Sequence, residues 1–298
     1  MSASLPAVTA ATTADVVPPA TGFRRSAAFR RPGPGLLLAT GFLVFLLLGC
    51  VAPSLVTAGG DPFRIAPHEA FRPPGWAHPF GTDQSGRDIF VRIVFGARES
   101  LLVGVGATGI AMMVAVTLGL LGGLGGHLAE RAVRWLLQVM FSFPVLILAL
   151  LLSAGLGHGI WPLVLATGLG SSAGYGRLVL SQVLAVRDAP YVEAARALGH
   201  SPARIVHRHV LPNAMRPLVV AVMLGVGQAI IWSASLSFLG LGAPPPAAEW
   251  GTMLSMGRDF VANAWWLTAF PGAFVVMTVL STTAIGHALQ RHLESRAA

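Results

Sequence analysis

Six stretches of apolar residues alternate with polar, arginine-bearing segments along the 298-residue chain. They cover 36–55, 100–126, 135–156, 160–183, 214–239 and 265–289. Each is close to the roughly 20 residues that carry a helix across the hydrocarbon layer of a bilayer. Glycines recur four apart within or beside them, as Gly119/Gly123, Gly122/Gly126, Gly155/Gly159 and Gly170/Gly174. Small residues at that spacing let helix backbones approach closely in lipid. The pattern predicts an all-α, polytopic membrane protein with six transmembrane helices. Its expected parts are a disordered basic tail (1–34), a first helix (35–56) and an external segment (57–99). A core of five helices (100–290) with a polar loop at 184–213 and a short tail (291–298) follow.

Arginine placement sets the orientation. With the N-terminus inside, fourteen of the twenty arginines fall on the inner side and six on the outer. Counting acids too, the inner segments carry a net +9 and the outer ones −1. Basic residues accumulate on the cytoplasmic side, so both termini and the polar loop are expected in the cytoplasm. Arg177, near the inner end of the fourth run, is expected to snorkel to the interface. A competing reading makes the first run a signal peptide, because Leu47-Leu48-Gly49-Cys50 resembles a lipoprotein cleavage box. The long basic region before it and the five runs after it argue against cleavage.

Composition narrows the chemistry. Charged residues make up only 11% of the chain, against about 25% in ordinary soluble domains. All twenty basic residues are arginine. Without lysine a phosphate-binding loop of the form G-x-x-x-x-G-K-[ST] cannot be built, so any nucleotide that powers the protein must bind another chain. The arginines flank apolar runs rather than forming one basic face, which excludes nucleic acid as a partner. The single cysteine, Cys50, allows no intrachain disulfide. Nine histidines show no H-E-x-x-H spacing or Cys/His cluster, so no metal site is expected.

The densest polar signal is YVEAARALGHSPARIVHRHVLP, residues 191–212. Asp188 and Pro190 favour a helix start, and Glu193, Ala194, Ala195 and Arg196 favour its continuation. Gly199 suits the left-handed residue that ends a helix. Ser201 with Pro202 reads as the cap and first residue of a second short helix. Leu211-Pro212 is expected to break that helix before the fifth run. Two short helices at a corner could dock on a partner protein or lie on lipid headgroups.

The string Glu193-Ala194-Ala195, then Gly199, then Leu211-Pro212 resembles the EAA loop of ABC importer permeases of type I. Arg208 to Asn213, R-H-V-L-P-N, is similar to the variant of the dipeptide/oligopeptide/nickel branch, with His209 departing from the broader signature. Two further strings resemble the C-type permease of that branch. One is FGTD with GRD, containing Asp83, Gly86, Arg87 and Asp88; the other is SFLGLG followed by Pro244-Pro245 and Trp250-Gly251, containing Gly240 and Gly242. The resemblance covers residues 30–292. It implies a type I ABC importer permease fold in a bacterial inner membrane, importing peptides or related small solutes. It also implies a second homologous permease, two ABC ATPase subunits that use ATP and Mg, and an extracellular or periplasmic solute-binding protein. Glu193, Ala194, Ala195, Arg196, Gly199, Leu211 and Pro212 would then couple the chain to the ATPase. This chain itself would bind no cofactor and catalyse nothing.

The outer strings leave two readings open. Asp88 and Arg92 stand at i, i+4 and suit an exposed pair, and GTDQSGRD has turn chemistry; a structural role competes with contact to a binding protein. The bend Gly240–Pro246 is either an outer gate or a plain loop. No acid falls within the predicted runs, which argues against a carboxylate proton relay. An ion-driven secondary transporter, or a membrane scaffold without transport, remains the alternative class.

Overall fold

The computed structural model describes residues 33–295, and all regular structure there is helical apart from one isolated bridge between Thr82 and Asp88. The expected tail at 1–32 and residues 296–298 lie outside the described residues. The first run forms α1 (Pro34–Val51) and, after a break at Ala52, the single turn α2 (Pro53–Val56). Pro53 causes the break, since it has no amide hydrogen for the ladder.

The second helix, α3 (Ile89–Leu124), starts within the segment read as external. Asp88 caps it, its Oδ1 accepting from the Val91 amide at 3.1 Å. The expected charged link and third run become two helices, α4 (Gly126–Ser142) and α5 (Val145–Leu156), bent by 88° at Phe143-Pro144. Proline forces the residue before it out of the helical region, and Phe143 has ψ 132°.

The long helix α6 (Ile160–Arg187) makes its most extensive contact with α3. A side-chain carbon added at Gly119 or Gly123 would overlap Val179 or Val183 of α6, so these glycines set the close approach. After α7 (Pro190–Ala197) and the short α8 (Pro202–Ile205), a π-helical turn (Val206–Val210) runs into α9 (Leu211–Phe238). The short α10 (Trp250–Gly257) and the final α11 (Trp266–Ser295) complete the order.

By length and apolarity, four helical stretches among the described residues can cross a membrane: Pro34–Val51, Ile89–Leu124, Pro202–Phe238 and Trp266–Leu293. The α4–α5 pair makes a fifth if taken as one span. The expected count of six is therefore not reached by this measure, and α6 accounts for the difference. It is long enough, but Thr167, Gly168, Gly170, Ser172 and Gly176 dilute its apolar character. Those residues are buried against neighbouring helices, where small side chains serve packing rather than lipid contact.

Two apolar clusters fix the ends of the bundle. One joins Leu46, Ile89, Ile93, Ile230, Trp250, Trp266 and Phe274, tying α1, α3, α9, α10 and α11 together. The other joins Val179, Val183, Val192, Ala195, Ile205, Val210 and Ala214, seating α7 and α8 on α6 and α9.

Candidate functional site

Burial divides α7 into two faces. Val192 and Ala195 are buried in the second cluster, while Tyr191, Glu193, Ala194, Arg196, Leu198 and Gly199 are exposed. The helix starts at Pro190, with Ala189 as its cap residue. Asp188 does not start it. That residue ends α6, where Arg187 Nε donates to Asp188 Oδ1 at 2.8 Å. The salt-linked hydrogen bond from Arg187 holds the Asp188 carboxyl below its ordinary value of 3.8.

Gly199 has φ +77° and closes α7. Its amide reaches the Arg196 carbonyl at 2.9 Å, and the His200 amide reaches back to Ala195 at 3.2 Å. Only glycine enters this left-handed region without a steric cost at Cβ. Ser201 and Pro202 begin α8 as the sequence suggests, though the serine side chain makes no cap bond.

Leu211-Pro212 does not break the chain's helical path. The Leu211 amide bonds five residues back to the Val206 carbonyl, and Asn213 Nδ2 donates to the His209 carbonyl at 2.7 Å. The wider turn carries the helix past a residue that lacks an amide hydrogen. Imidazole rings of His200 and His209 stack 14° from parallel, with centroids 6.2 Å apart, and Tyr191 adjoins His209 at 6.3 Å. Arg196 Nη2 reaches the Arg187 carbonyl at 3.3 Å, and Arg187 Nη1 the Gly123 carbonyl at 3.0 Å. The exposed segment is thus attached to the ends of α3, α6 and α9.

At the opposite end of α3, the outer string folds into a compact turn. Asp83 and Arg87 are 3% and 6% exposed, with Oδ2 to Nε at 2.6 Å. Asp83 Oδ1 also accepts from the amides of Ser85 and Arg87 at 2.8 and 3.0 Å. Gly86 has φ +76°, and a side chain there would overlap the Ala66 carbonyl. Trp266 Nε1 bonds the Thr82 carbonyl at 3.1 Å, pinning the turn to α11.

The expected Asp88–Arg92 pair is not formed. Asp88 Oδ2 lies 2.7 Å from His78 Nδ1. Arg92, 1% exposed, instead reaches backbone carbonyls of Pro62 and Pro246 at 3.3 Å and Ala247 at 2.9 Å. Starting α3 at Ile89 buries the face that bears Arg92, and three carbonyls from distant loops replace the carboxylate as acceptors.

The bend after α9 is non-helical from Gly240, with φ +89°, to Glu249. Gly242 is buried tightly beside Ser237. Trp250 is fully buried, its amide bonded to Ser100 Oγ and its Nε1 to the Ile93 carbonyl, both at 3.0 Å. Glu249 caps α10 through the Gly251 and Thr252 amides at 2.9 and 2.8 Å.

Sequence reading missed Arg92 as a staple and Glu249 as a cap. The glutamate directly before Trp250-Gly251 was the available cue for the second. It also placed Glu99 outside the spans. The earlier start of α3 brings it into the helix, with Oε2 buried and unpaired. Among the described residues no group of three or more His, Cys, Asp or Glu side chains could hold a metal ion.

Comparison with known proteins places this architecture. Residues 115–298 match the family model of the binding-protein-dependent transport system inner membrane component. The chain is 36% identical to a probable D,D-dipeptide transport system permease protein of Escherichia coli (strain K12), covering 89% of each. It is 38% identical to a dipeptide transport system permease protein of Alkalihalophilus pseudofirmus, covering 88% of this chain and 84% of that one. A glutathione transport system permease protein of Pectobacterium atrosepticum is 38% identical over 75% of this chain and 74% of its own. Among solved structures, an amino acid ABC transporter crystallised with histidines matches at TM-score 0.57 and 18% identity, over 67% of this chain and 94% of its own. A methionine ABC transporter in an inward-facing conformation matches at TM-score 0.57 and 20% identity, over 68% and 97%. The chain belongs to the family of binding-protein-dependent transport system inner membrane components, and is a multi-pass permease subunit of an ABC importer.

Proposed function

We propose that this permease forms one half of the pore of an ATP-driven importer for peptides or related small solutes, with α7 as its docking element for the motor. The peptide assignment rests on relatives named for dipeptide, D,D-dipeptide and glutathione transport. A second homologous permease supplies the other half. Two ABC ATPase subunits bind ATP and Mg on the cytoplasmic side, and a solute-binding protein delivers cargo outside. Both termini lie in the cytoplasm, with α7 beside them.

The carrying observation is the two-faced α7. Its inner face is packed into the bundle by Val192 and Ala195, while Tyr191, Glu193, Arg196 and Leu198 remain exposed; Leu198 is 78% exposed. An isolated short helix is unstable in water; seated on α6 and α9, this one keeps its geometry while presenting side chains to a groove. Closure of the ATPase pair on ATP then moves α7 and, through it, α6 and α9.

Co-purification with the ATPase subunits tests this reading, together with uptake of a labelled dipeptide in vesicles. Leu198→Asp should release the ATPase and abolish uptake while the permease stays in the membrane. Retention of both ATPase and uptake in that variant would refute the docking role. A cysteine in place of Glu193 should react with an impermeant maleimide only from the cytoplasmic side; labelling from outside would refute the orientation.

A further inference from the structure

The α4–α6 groove, close to the coupling end, is not used by the mechanism above. It has a volume of about 580 Å³ and is lined by Arg134, Leu137, Gln138, Arg177, Leu180, Ser181 and Leu184. Its only charged lining groups are the two arginines. Arg134 spends Nε and Nη2 on Glu130 Oε1, at 3.0 and 2.8 Å, which leaves Nη1 to face elsewhere. Arg177 rests its guanidinium over the Phe141 ring at 4.1 Å and, among the described residues, has no carboxylate partner.

Depth decides what can neutralise Arg177. Counting about 20 residues from Ile160 puts the inner edge of the hydrocarbon layer near Leu180. Arg177 therefore starts within the apolar layer, and its long stem carries the head to the glycerol-phosphate level. An unpaired cation there is costly unless an anion meets it. The neighbouring surface suits lipid: α4 is bent 88° from α5 and exposes Leu128, Trp135, Val139 and Phe141 beside its arginines. Exposed apolar and aromatic residues with arginines at one end are the marks of a helix lying in the membrane interface. Leu137, Leu180 and Leu184 line the groove beside the two cations.

The geometry points to a phospholipid site in this groove, in which Arg134 and Arg177 hold the phosphate of an anionic headgroup and the exposed Trp135, Val139 and Phe141 of α4 meet its acyl chains. The anion comes from the lipid, since the exposed apolar face of α4 has no role in holding free phosphate.

The test uses the assembled importer, purified and titrated with phosphatidylglycerol or phosphatidylcholine and read by native mass spectrometry. Retained phosphatidylglycerol is expected on the native complex, with at least tenfold weaker retention after combined R134Q and R177Q. Arg177→Lys should restore part of it, and phosphatidylcholine retention should not change. A photoreactive phosphatidylglycerol on the unaltered complex should label α4 or α6, which keeps the proposal testable if the variants fail to assemble. Equal retention by native and variant complexes would overturn the site. So would displacement of the lipid by millimolar inorganic phosphate, or quantitative cross-linking of a Gln138→Cys variant to the second permease.

Discussion

The indole nitrogen of Trp250 donates to the carbonyl oxygen of Ile93 across 157 residues of sequence, at 3.0 Å. That bond fastens the short helix α10 to the first turns of α3, beside the non-helical bend. Trp250→Phe keeps most of the ring and removes this bond, while the Ile93 carbonyl keeps its helical amide partner, and should cost about 0.5–1.5 kcal/mol. Trp250→Ala also opens a cavity and should cost about 3–5 kcal/mol. Thermal unfolding of the purified complex measures both. A Trp250→Phe variant as stable as the parent would mean that the hydrogen bond contributes nothing.

The Asp83–Arg87 pair is the second outer anchor. Removing Arg87 leaves Asp83 with the more distant Arg92 Nε, at 3.9 Å, as its counter-charge, so Arg87→Met should destabilise by up to about 3–5 kcal/mol, the cost of a broken buried pair. A loss below about 1 kcal/mol, the range of exposed pairs, would show that water reaches Asp83 in solution.

At Gly199 the order of substitutions is the informative measurement. Its left-handed backbone costs an ordinary L-residue about 1–2 kcal/mol, while asparagine visits that region more readily. Uptake should fall in the order glycine, asparagine, valine, with membrane insertion unchanged. A valine variant as active as the parent would show that the α7–α8 turn can be rebuilt without harm.

Acid sensitivity at the α6–α7 corner follows from Asp188. Its folded-state value is depressed by the hydrogen bond from Arg187, so the unfolded state binds the proton more tightly. The pair's contribution is complete above the ordinary 3.8 and disappears as pH falls through the depressed value. Asp188→Asn should therefore lower stability by the same small amount at every pH from 5 to 8, and the difference from the parent should shrink only below about pH 4. A difference that changed between pH 6 and 8 would assign the effect to another group. Thermal unfolding across buffers distinguishes the two.

Much of this architecture was legible in the chain. Runs of apolar residues located the helices, and the glycines four apart marked close helix packing without naming the pair, which is α3 with α6. The EAA string marked α7, and Gly199 its end. What stayed hidden depended on long-range geometry. Nothing near Arg92 in sequence announces carbonyls of Pro62, Pro246 and Ala247 as its acceptors, so a local i, i+4 partner was the natural expectation. Leu211-Pro212 misled for a related reason: proline's cost in a helix assumes an i→i−4 ladder, and the turn before it uses i→i−5. The bend at Phe143-Pro144 was visible as a proline, yet the apolar residues on both sides read as one uninterrupted run.

The π-helical turn has a mechanical consequence. Because it spares the helix a break, the stretch Pro202–Phe238 is a single rod of 37 residues, about 55 Å long. Tilting such a rod by about 10° about its Pro202 end sweeps the far end through about 10 Å. Phe238 sits at that far tip, its carbonyl gripped by Ser255 Oγ at 3.1 Å and Arg258 Nη1 at 3.4 Å. A small change of tilt at the Pro202 end thus becomes, at Phe238, a displacement as wide as a peptide backbone with its side chains.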